Sequence, residues 1–429
     1  MSSTTNRAIL VGLGLVELAL AAAAARFVDR EAGYPFYLSL YLAMGLPWLL
    51  ASYHVVRHNQ GRAGSLGLVF FLALSMRASF LFTEPVLSDD IYRYLWDGRV
   101  AHAGINPYRY APEAPELALL RNEDYGGINN KDIPTIYPPL MQVAFFAVTS
   151  ASESVLAMKA FFVVVDVALL GVLIGILRAA SLNPERVLVY AWSPLAIVEI
   201  AGSGHNDVLG ALFLMAALAA LGGGKERRAP AWMTLSGLAK LVGFAVLPLL
   251  ARQVKKASFI AVPLLVLAFS LPYASAGRLA FRGLREYGLR WRGNDSLFHV
   301  LYAVTGSLEA AKLMAALVVV LLVATLVFKR TPPRTSAYWT VGAVLLLSPI
   351  VHPWYLLWIA PFLCLRPSPA WMFLSLSVGL SYHSAYLAEP GRAWEDIVWV
   401  KGLEYGPFFF LALMNAKAPG REDAKEDTG

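Results

Sequence analysis

The sequence predicts an all-helical, polytopic membrane protein. Of its 429 residues, 58% are hydrophobic and only 15% are charged, whereas a soluble domain carries about 25% charged residues. The mean hydropathy is +0.56. Apolar runs of about 20 residues, long enough to cross a bilayer as helices, recur along the chain. The 12% of aromatic residues is typical of proteins with aromatic belts at two membrane–water interfaces.

The apolar runs predict about 12 to 13 transmembrane helices. The predicted spans are residues 8–27, 36–56, 65–83, 157–177, 187–202, 207–221, 257–273, 309–328, 338–350, 354–365, 370–387 and 397–414. Segments 138–150 and 231–250 are apolar but ambiguous. The second carries Gly237, Lys240 and Gly243 at its centre, so it fits either one helix or a broken, re-entrant pair. Irregular backbone at membrane depth is tolerated only inside protein or beside a cavity.

The basic residues of the short loops predict the orientation, because cytoplasmic loops carry an excess of Lys and Arg. These loops fall on one side if the N-terminus is cytoplasmic and 231–250 is re-entrant. The net charge of +7 is then explained by basic residues in cytoplasmic loops. We therefore expect no nucleic-acid partner. Loop 274–296 does not fit this orientation, because it is rich in arginine but is predicted to lie on the side opposite to the other basic loops. These arginines either bind something anionic or show that the topology is wrong there. They are Arg278, Arg282, Arg285, Arg290 and Arg292.

The stretch "VLSDDIYRYLWDGRV" follows the third apolar run and is unusually polar for this chain. Asp89 and Asp90 either lie in the first turn of a helix capped by Ser88, where acids are favoured, or one of them is a general base at the membrane surface. Helical spacing places Tyr94 on the face of Asp90. Two acids could also hold a divalent metal, but no further ligand set demands one. We predict no cofactor and leave a divalent metal as an open alternative.

Charged residues inside apolar runs are further candidates, because they usually face a cavity or a partner. Arg77 either reaches the membrane surface or binds phosphate oxygens, to which a guanidinium can donate two hydrogen bonds. Lys240 is either a packing residue near a loop or a second cation of a site. Asp166 has no assigned role. The single cysteine, Cys364, excludes an internal disulfide and a metal site built from several cysteines.

Two turns, "GSGHND" and "SPIVHPWY", are predicted to lie on the same side as the acid pair. Their histidines are either structural or functional, and their aromatic residues belong either to an interface belt or to a sugar-stacking surface. In the functional reading the polar side chains grip sugar hydroxyls, while the second histidine, neutral or cationic, stabilises an anionic leaving group. The residues are His205, Asn206, Asp207, His352, Trp354 and Tyr355.

An ordered set of motifs resembles a known family. The motifs are LSDDIYRYLWDGRV, GINPY, YPPL, GSGHND, GLAKLVGFAVLP, GNDSLF and HPWYLLW. Over roughly residues 65 to 365 they resemble bacterial GT-C membrane glycosyltransferases, most of all the mannosyltransferases that use polyprenyl-phosphate mannose. The resemblance implies a lipid-linked donor, transfer at the extracytoplasmic face and inversion at the anomeric carbon. The family's catalytic acid lies in the first outer loop, with a tyrosine four positions on, as Asp90 and Tyr94 do here.

With this resemblance we assign candidate roles. Asp90 is the general base, and Asp89 supports or replaces it. The donor phosphate is predicted to contact Arg77, His352, Arg292 and Lys240. The sugar or acceptor is predicted to contact His205, Asn206, Asp207, Tyr94, Trp354 and Tyr355. The partners are a polyprenyl-phosphate sugar, a lipid, glycan or protein acceptor, and membrane lipids.

The predicted organisation has three parts. Residues 1–64 form an N-terminal transmembrane hairpin, which departs from the resemblance. Residues 65–415 form the catalytic membrane domain, whose outer loop 84–137 carries short surface helices. Residues 416–429 form a cytoplasmic tail. We expect the multi-pass chain in the inner (plasma) membrane, with both termini cytoplasmic.

Two other classes of protein remain as alternatives. A transporter or flippase would use the intramembrane charges as a substrate path, although no internal repeat is evident. A structural subunit of an envelope-assembly complex would have acids and histidines that scatter in space instead of converging on one pocket.

Overall fold

The computed structural model describes residues 3–28, 33–57, 65–85, 87–383 and 397–417. Over these ranges the chain is helical, and extended backbone pairs only in one parallel bridge between Gly293 and Ile350. Among the described helices, five are long and apolar enough to cross a membrane. The prediction of an all-α, polytopic membrane protein is therefore confirmed.

The α-helices are numbered in chain order. They are α1 Ser3–Arg26, α2 Tyr34–Arg57, α3 Leu66–Leu81, α4 Asp90–His102, α5 Pro139–Ala151, α6 Val155–Ala179, α7 Leu188–Ala191, α8 Pro194–Ala196, α9 Asp207–Gly222, α10 Ala229–Ala239, α11 Val242–Val246, α12 Ala261–Ser270, α13 Arg282–Arg290, α14 Leu297–Thr305, α15 Leu308–Phe328, α16 Pro333–Leu346, α17 Pro369–Ser377 and α18 Val398–Lys417. Shorter 3-10 segments join them. They are Pro115–Leu120, Glu123–Gly127, Pro184–Val187, Glu226–Arg228, Leu247–Arg252, Lys256–Ile260, Leu271–Phe281, Pro353–Trp358, Ala360–Cys364 and Val378–Ser381.

The predicted spans are helical where the structure describes them, but several are interrupted. Span 187–202 consists of α7, α8 and a π-helical turn, Ile197–Gly202. Span 354–365 consists of two 3-10 segments, each with a proline in its first turn. Proline lacks the N–H that continues an α-helix, which accounts for these breaks. The end of span 370–387 and most of the tail lie outside the described residues.

Segment 231–250 is a broken helix. Helix α10 ends at Lys240, whose backbone is extended (φ −144°, ψ 129°), and α11 begins two residues later. A Cβ on Gly243 would lie 2.3 Å from the Gly237 nitrogen, so only glycine permits the two pieces to approach this closely. The break aims Lys240 away from a regular helix axis. That the pair is re-entrant stays a prediction.

Apolar side chains cover the outside of several helices. Leu264 and Leu267 on α12 are exposed, as are Leu317 and Leu321 on α15. A helix that is apolar all round belongs in a core or in a membrane. These surfaces therefore suit contact with lipid.

Helices α1 and α2 pack against the rest of the molecule. The Trp48 indole N–H donates to the Val189 carbonyl at 2.9 Å, and a Cβ on Gly14 would collide with Leu72 and Trp192. The N-terminal hairpin is thus held by close contacts with α3 and α7. The proposed domain boundary at residue 64 stays a prediction.

Arg77 lies in the interior and pairs with Asp166, which corrects its assignment. Its Nε donates to Asp166 Oδ2 at 2.5 Å, its Nη1 donates to the Ala191 carbonyl at 2.7 Å, and its side chain is 1% exposed. The Tyr190 hydroxyl donates to the other Asp166 oxygen. This ion pair ties α3, α6 and α7 together. The burial of the guanidinium and its pairing with Asp166 favour a structural role for Arg77 over the predicted contact with the donor phosphate.

Candidate active site

Polar side chains from four separated segments converge at one end of the helices. Asp90 stands in the first turn of α4, His205 in the turn before α9, Lys240 at the break after α10, and Trp354 in the segment after α16. Asp90 Oδ2 lies 3.9 Å from His205 Nδ1. This convergence is what a functional site requires, and it argues against a purely structural subunit, for which we expected scatter.

Asp90 is at the rim of the cluster, with 22% of its side chain exposed. Asn129 Nδ2 donates to Asp89 Oδ1 at 2.8 Å and to Asp90 Oδ1 at 3.2 Å. Burial, and next the charge of Asp89, raise the pKa of Asp90 to about 6. Asp89 is the N-cap residue of α4 and its side chain makes no capping bond, whereas the backbone N–H of Asp90 donates to Ser88 Oγ at 3.4 Å.

A cavity opens beside Asp89. Its volume is about 370 Å³. The lining residues are Glu84, Pro85, Asp89, Tyr92, Gly126, Gly127 and Ile128. It gives Asp89 access from the surface of the protein.

His205 and His352 sandwich Trp354. The ring centroids of His205 and Trp354 are 3.8 Å apart, and those of His352 and Trp354 are 4.4 Å apart, with nearly parallel planes. Burial, and next the ammonium of Lys240, hold the pKa of His205 well below its usual value and lower that of His352 to about 3. Both imidazoles are therefore neutral at neutral pH. Of the two forms considered for His352, burial favours the neutral one, and Trp354 is a buried stacking partner instead of a belt residue.

The turn that carries His205 depends on glycine and on a π-helical turn. Gly204 has φ +73°, and a Cβ there would lie 2.5 Å from Ile91 Cδ1. The backbone N–H of His205 donates to the Glu199 carbonyl at 2.9 Å. Single π-helical turns are frequent at functional sites, and here one sets the direction of the histidine.

Lys240 supplies a cation at the base of the cluster. Its Nζ lies 3.1 Å from Asp207 Oδ2 and 5.8 Å from the ring centroids of Tyr137 and Tyr355. The Trp358 indole N–H donates to the other Asp207 oxygen at 2.8 Å. Asp207 therefore has both oxygens engaged. It orients Lys240, which differs from the sugar contact that we predicted.

The arginine-rich loop lies on the same side as Asp90. A Cβ on Gly283 would lie 2.4 Å from the carbonyl oxygens of Pro134 and Thr135, so α13 packs directly on loop 84–137, which we predicted to be an outer loop. The hydroxyl groups of Tyr287 and Tyr355 lie 2.7 Å apart. The alternative that this loop belongs to the other side is disfavoured.

Three predicted residues have different surroundings from those expected. Tyr94 is fully buried and stacks on Phe145 at 4.6 Å, which favours a packing role over the predicted sugar contact. Arg292 donates to Asp295 Oδ2 at 2.8 Å, so its charge is already compensated. Asn206 is buried, and neither polar atom of its side chain has a hydrogen-bond partner within the described part of the chain. It remains available to a ligand.

Sequence reasoning missed three residues of this site. Asn129 lies far from Asp90 in the chain, and nothing in its local sequence singles it out. Tyr287 is one aromatic residue among many. Glu199 could have been found, because an acid inside an apolar run is a functional candidate by default. Across the described ranges, no three His, Cys, Asp or Glu side chains are grouped so that they could hold a metal ion.

Comparison with known proteins places the chain in a class of membrane enzymes, the glycosyltransferases. A family model described as "Alpha-(1->6)-mannopyranosyltransferase, N-terminal domain" matches residues 6–270. Since this range is more than half of the chain, the protein belongs to that family, and mannosyl transfer is its general activity. The match includes the N-terminal hairpin, so the hairpin is no departure from the family. Neither the curated proteins nor the solved structures gave a match.

Proposed function

We propose that the protein transfers mannose from a polyprenyl-phosphate donor to a hydroxyl group of an acceptor. The reaction takes place at the extracytoplasmic face of the inner (plasma) membrane and inverts the anomeric carbon. The observation that carries this proposal is the position of Asp90: a partly exposed carboxylate at the rim of the cluster, with the Lys240 ammonium deeper within it. A GT-C-type site needs this order, because the acceptor arrives from water and the leaving phosphate stays anchored in lipid.

Asp90 is the general base. Inverting transfer needs a base on one face of the sugar and a stabilised leaving group on the other. With a pKa of about 6, Asp90 is ionised at neutral pH and basic enough to take the hydroxyl proton as the new bond forms. Asn129 donates to both acids and holds them in place. Asp89 tunes Asp90 through its charge.

Lys240 stabilises the departing phosphate. The anomeric C–O bond breaks with its electron pair on the phosphate oxygen, and an ammonium group close to that oxygen lowers the barrier. Asp207 and two tyrosine rings hold Lys240 in position. His352 is neutral, so it contributes a hydrogen bond and no charge. Arg292 stays a further donor-phosphate candidate on the same side.

The site offers uncharged surfaces to the sugar. The amide of Asn206 and the edge of His205 supply polar groups, and the half-buried ring of Tyr355 supplies stacking area, whereas the two histidines cover both faces of Trp354. Hydrogen-bonding groups that would otherwise stay unpaired give strong selection between sugars. A transporter is less well supported, because Arg77 and Asp166 bond to each other and Lys240 bonds to Asp207, so these charges do not line one path.

The test uses purified protein in lipid nanodiscs, radiolabelled polyprenyl-phosphate mannose and a membrane lipid extract as acceptor. We expect Asp90→Asn to lower turnover by about 100-fold or more. The control is Glu123→Gln, an exposed acid of the same outer loop, which should keep its activity. A nucleotide-linked mannose should give no transfer. Near-normal turnover by Asp90→Asn, or equal use of the nucleotide donor, would overturn the proposal.

A further inference from the structure

The segment Lys256–Arg290, which contains α12, is placed for contact with lipid. It is long and apolar enough to cross a membrane, and its most apolar stretch has no buried residue. Leu264 and Leu271 are exposed on one helical face. No charged residue lies between Lys256 and Arg278, and a helical chain rises by about 33 Å over that distance, which matches a hydrocarbon core of about 30 Å. Arg278 therefore lies where the segment leaves the hydrocarbon.

The chain changes direction at Gly277 and then lies against the protein. Gly277 has φ +53° and ψ −126°, which interrupts the helix, and glycine adopts this backbone without strain. Beyond it, α13 packs one face inward. A Cβ on Gly283 would lie 2.4 Å from the Thr135 carbonyl oxygen. The Tyr287 hydroxyl lies 2.7 Å from the Tyr355 hydroxyl. Helix α13 thus rests on loop 84–137 and on the candidate active site.

The cations that follow Gly277 have no counter-ions. Arg278, Arg282 and Arg285 are exposed. Within the described part of the chain, none of these three guanidinium groups has a hydrogen-bond or ion-pair partner. Arg290 differs, because it pairs with Asp132 at 2.7 Å. Three positive charges therefore stay uncompensated on one short stretch of surface.

Exposed apolar residues accompany these cations. Phe281 and Leu289 are exposed, and helical spacing places them with Arg282 and Arg285 on the side of α13 opposite to its packed face. We call these four residues, together with Arg278, the arginine face. Basic and apolar side chains on one exposed helix face are typical of a helix that lies in the membrane interface. There, the apolar side chains contact acyl chains while the guanidinium groups reach phosphate oxygens.

We propose that the arginine face binds the phosphate headgroups of anionic phospholipids. Charge complementarity selects this occupant, because three unpaired guanidinium groups beside apolar side chains fit a lipid that carries a net negative phosphate above its hydrocarbon chains. Binding of this lipid does not depend on the proposed function. It would nevertheless act close to the site, since Tyr287 on the packed face of the same helix meets Tyr355.

The test places a fluorophore beside the arginine face. Gly288 is exposed on α13, and a Cβ there has nothing within 4 Å, so Gly288→Cys accepts a label. The native Cys364 is buried and does not compete for it. The labelled protein is placed in phosphatidylcholine nanodiscs that contain headgroup-spin-labelled phosphatidylglycerol or phosphatidylcholine. We expect the anionic lipid to quench about fivefold more strongly or better, with a preference that shrinks as salt rises from about 0.05 M to about 0.5 M.

The deciding variant is Arg278→Gln/Arg282→Gln/Arg285→Gln, which removes the three charges and keeps long polar side chains. Both lipids should then quench equally. Equal quenching in the wild type, or a preference that survives in this variant, would overturn the inference. If the variant does not accumulate, the salt dependence of the wild type decides, and a preference that does not fall with salt overturns the inference.

The matched control removes the same charge from another exposed basic loop. It is Lys225→Gln/Arg227→Gln/Arg228→Gln, and it should keep the wild-type preference. Loss of the preference there would show that it follows net charge alone, which contradicts the inference. Unlabelled phosphatidylglycerol should relieve the quenching. Relief by polyprenyl phosphate alone would assign the arginine face to the donor and overturn the inference. Asp90→Asn should leave the lipid preference unchanged, so a failure of the proposed function is recognised separately.

Discussion

The Nζ of Lys240 lies 3.1 Å from Oδ2 of Asp207, and this contact joins the helix break after α10 to the first residue of α9. Asp207 is buried and Lys240 is 15% exposed, so the cation faces the site while its counter-ion faces the interior. The pair therefore combines a structural role with a proposed catalytic one, and the two roles can be separated by mutation.

The first prediction concerns that separation. Lys240→Met leaves a buried, uncompensated carboxylate, which costs about 3–5 kcal/mol of stability, and it removes the cation from the leaving group. The double variant Lys240→Met/Asp207→Asn should recover most of the lost thermal stability in detergent, since no charge is left unpaired. Transfer should remain at least about 100-fold below wild type in both variants. Recovery of activity in the double variant would show that Lys240 serves packing alone.

The second prediction concerns Asp89 and Asn129, which shift the pKa of Asp90 in opposite directions. The charge of Asp89 raises it and the hydrogen bond from Asn129 lowers it. Asp89→Asn should therefore move the acid limb of kcat/KM to lower pH, and Asn129→Ala should move it to higher pH, each by about half a unit. Asn122→Ala, an exposed change in the same loop, is the control. Shifts of the same sign would contradict the account.

The third prediction concerns the broken helix. A Cβ on Gly243 has no room, because it would lie 2.3 Å from the Gly237 nitrogen. We expect Gly243→Ala to destabilise the protein by about 1–3 kcal/mol and to lower transfer, because Lys240 is displaced. Gly171→Ala, in the middle of α6 with nothing within 4 Å of the added carbon, should be neutral or slightly stabilising. Thermal unfolding and transfer assays on both variants test this prediction. Equal stabilities of the two variants would contradict the claim that the close contact between Gly243 and Gly237 matters.

The fourth prediction concerns Arg77 and Asp166. Arg77→Met alone should destabilise the protein by about 3–5 kcal/mol, whereas Arg77→Met/Asp166→Leu should regain stability, because a buried ion pair can often be replaced by apolar residues. Transfer per folded molecule should be close to wild type in the double variant. If the double variant folds but no longer binds the donor, Arg77 contacts the donor phosphate after all.

Much of the fold could be predicted from the sequence, because apolar composition and length decide which segments enter the membrane. The break in 231–250 was also visible, since Gly237, Lys240 and Gly243 interrupt an apolar run. The partners of buried charges were not visible. Arg77 meets Asp166 from 89 residues away, and no local pattern distinguishes that contact from an approach to phosphate.

The site was predicted only in part, because the sequence shows on which side of the membrane a residue lies but not which distant residues it contacts. The spans placed Asp90, His205 and His352 on one side, and the structure brings these segments together. The sequence does not show that Tyr94 lies in the core or that Asn129 contacts the acid pair. Both positions depend on how the part of loop 84–137 that follows α4 packs against that helix. Glu199 was visible as an intramembrane acid, but its position beside His205 depends on the π-helical turn.

The most direct test of the central claim is the pH dependence of kcat/KM for mannosyl transfer, measured from about pH 5 to about pH 9 on wild type and on Asp90→Asn. A base must be ionised to act, so the wild-type rate should fall below an apparent pKa of about 6, and the residual activity of Asp90→Asn should lack this limb. A limb near pH 6 that persists in Asp90→Asn would show that another group is the base.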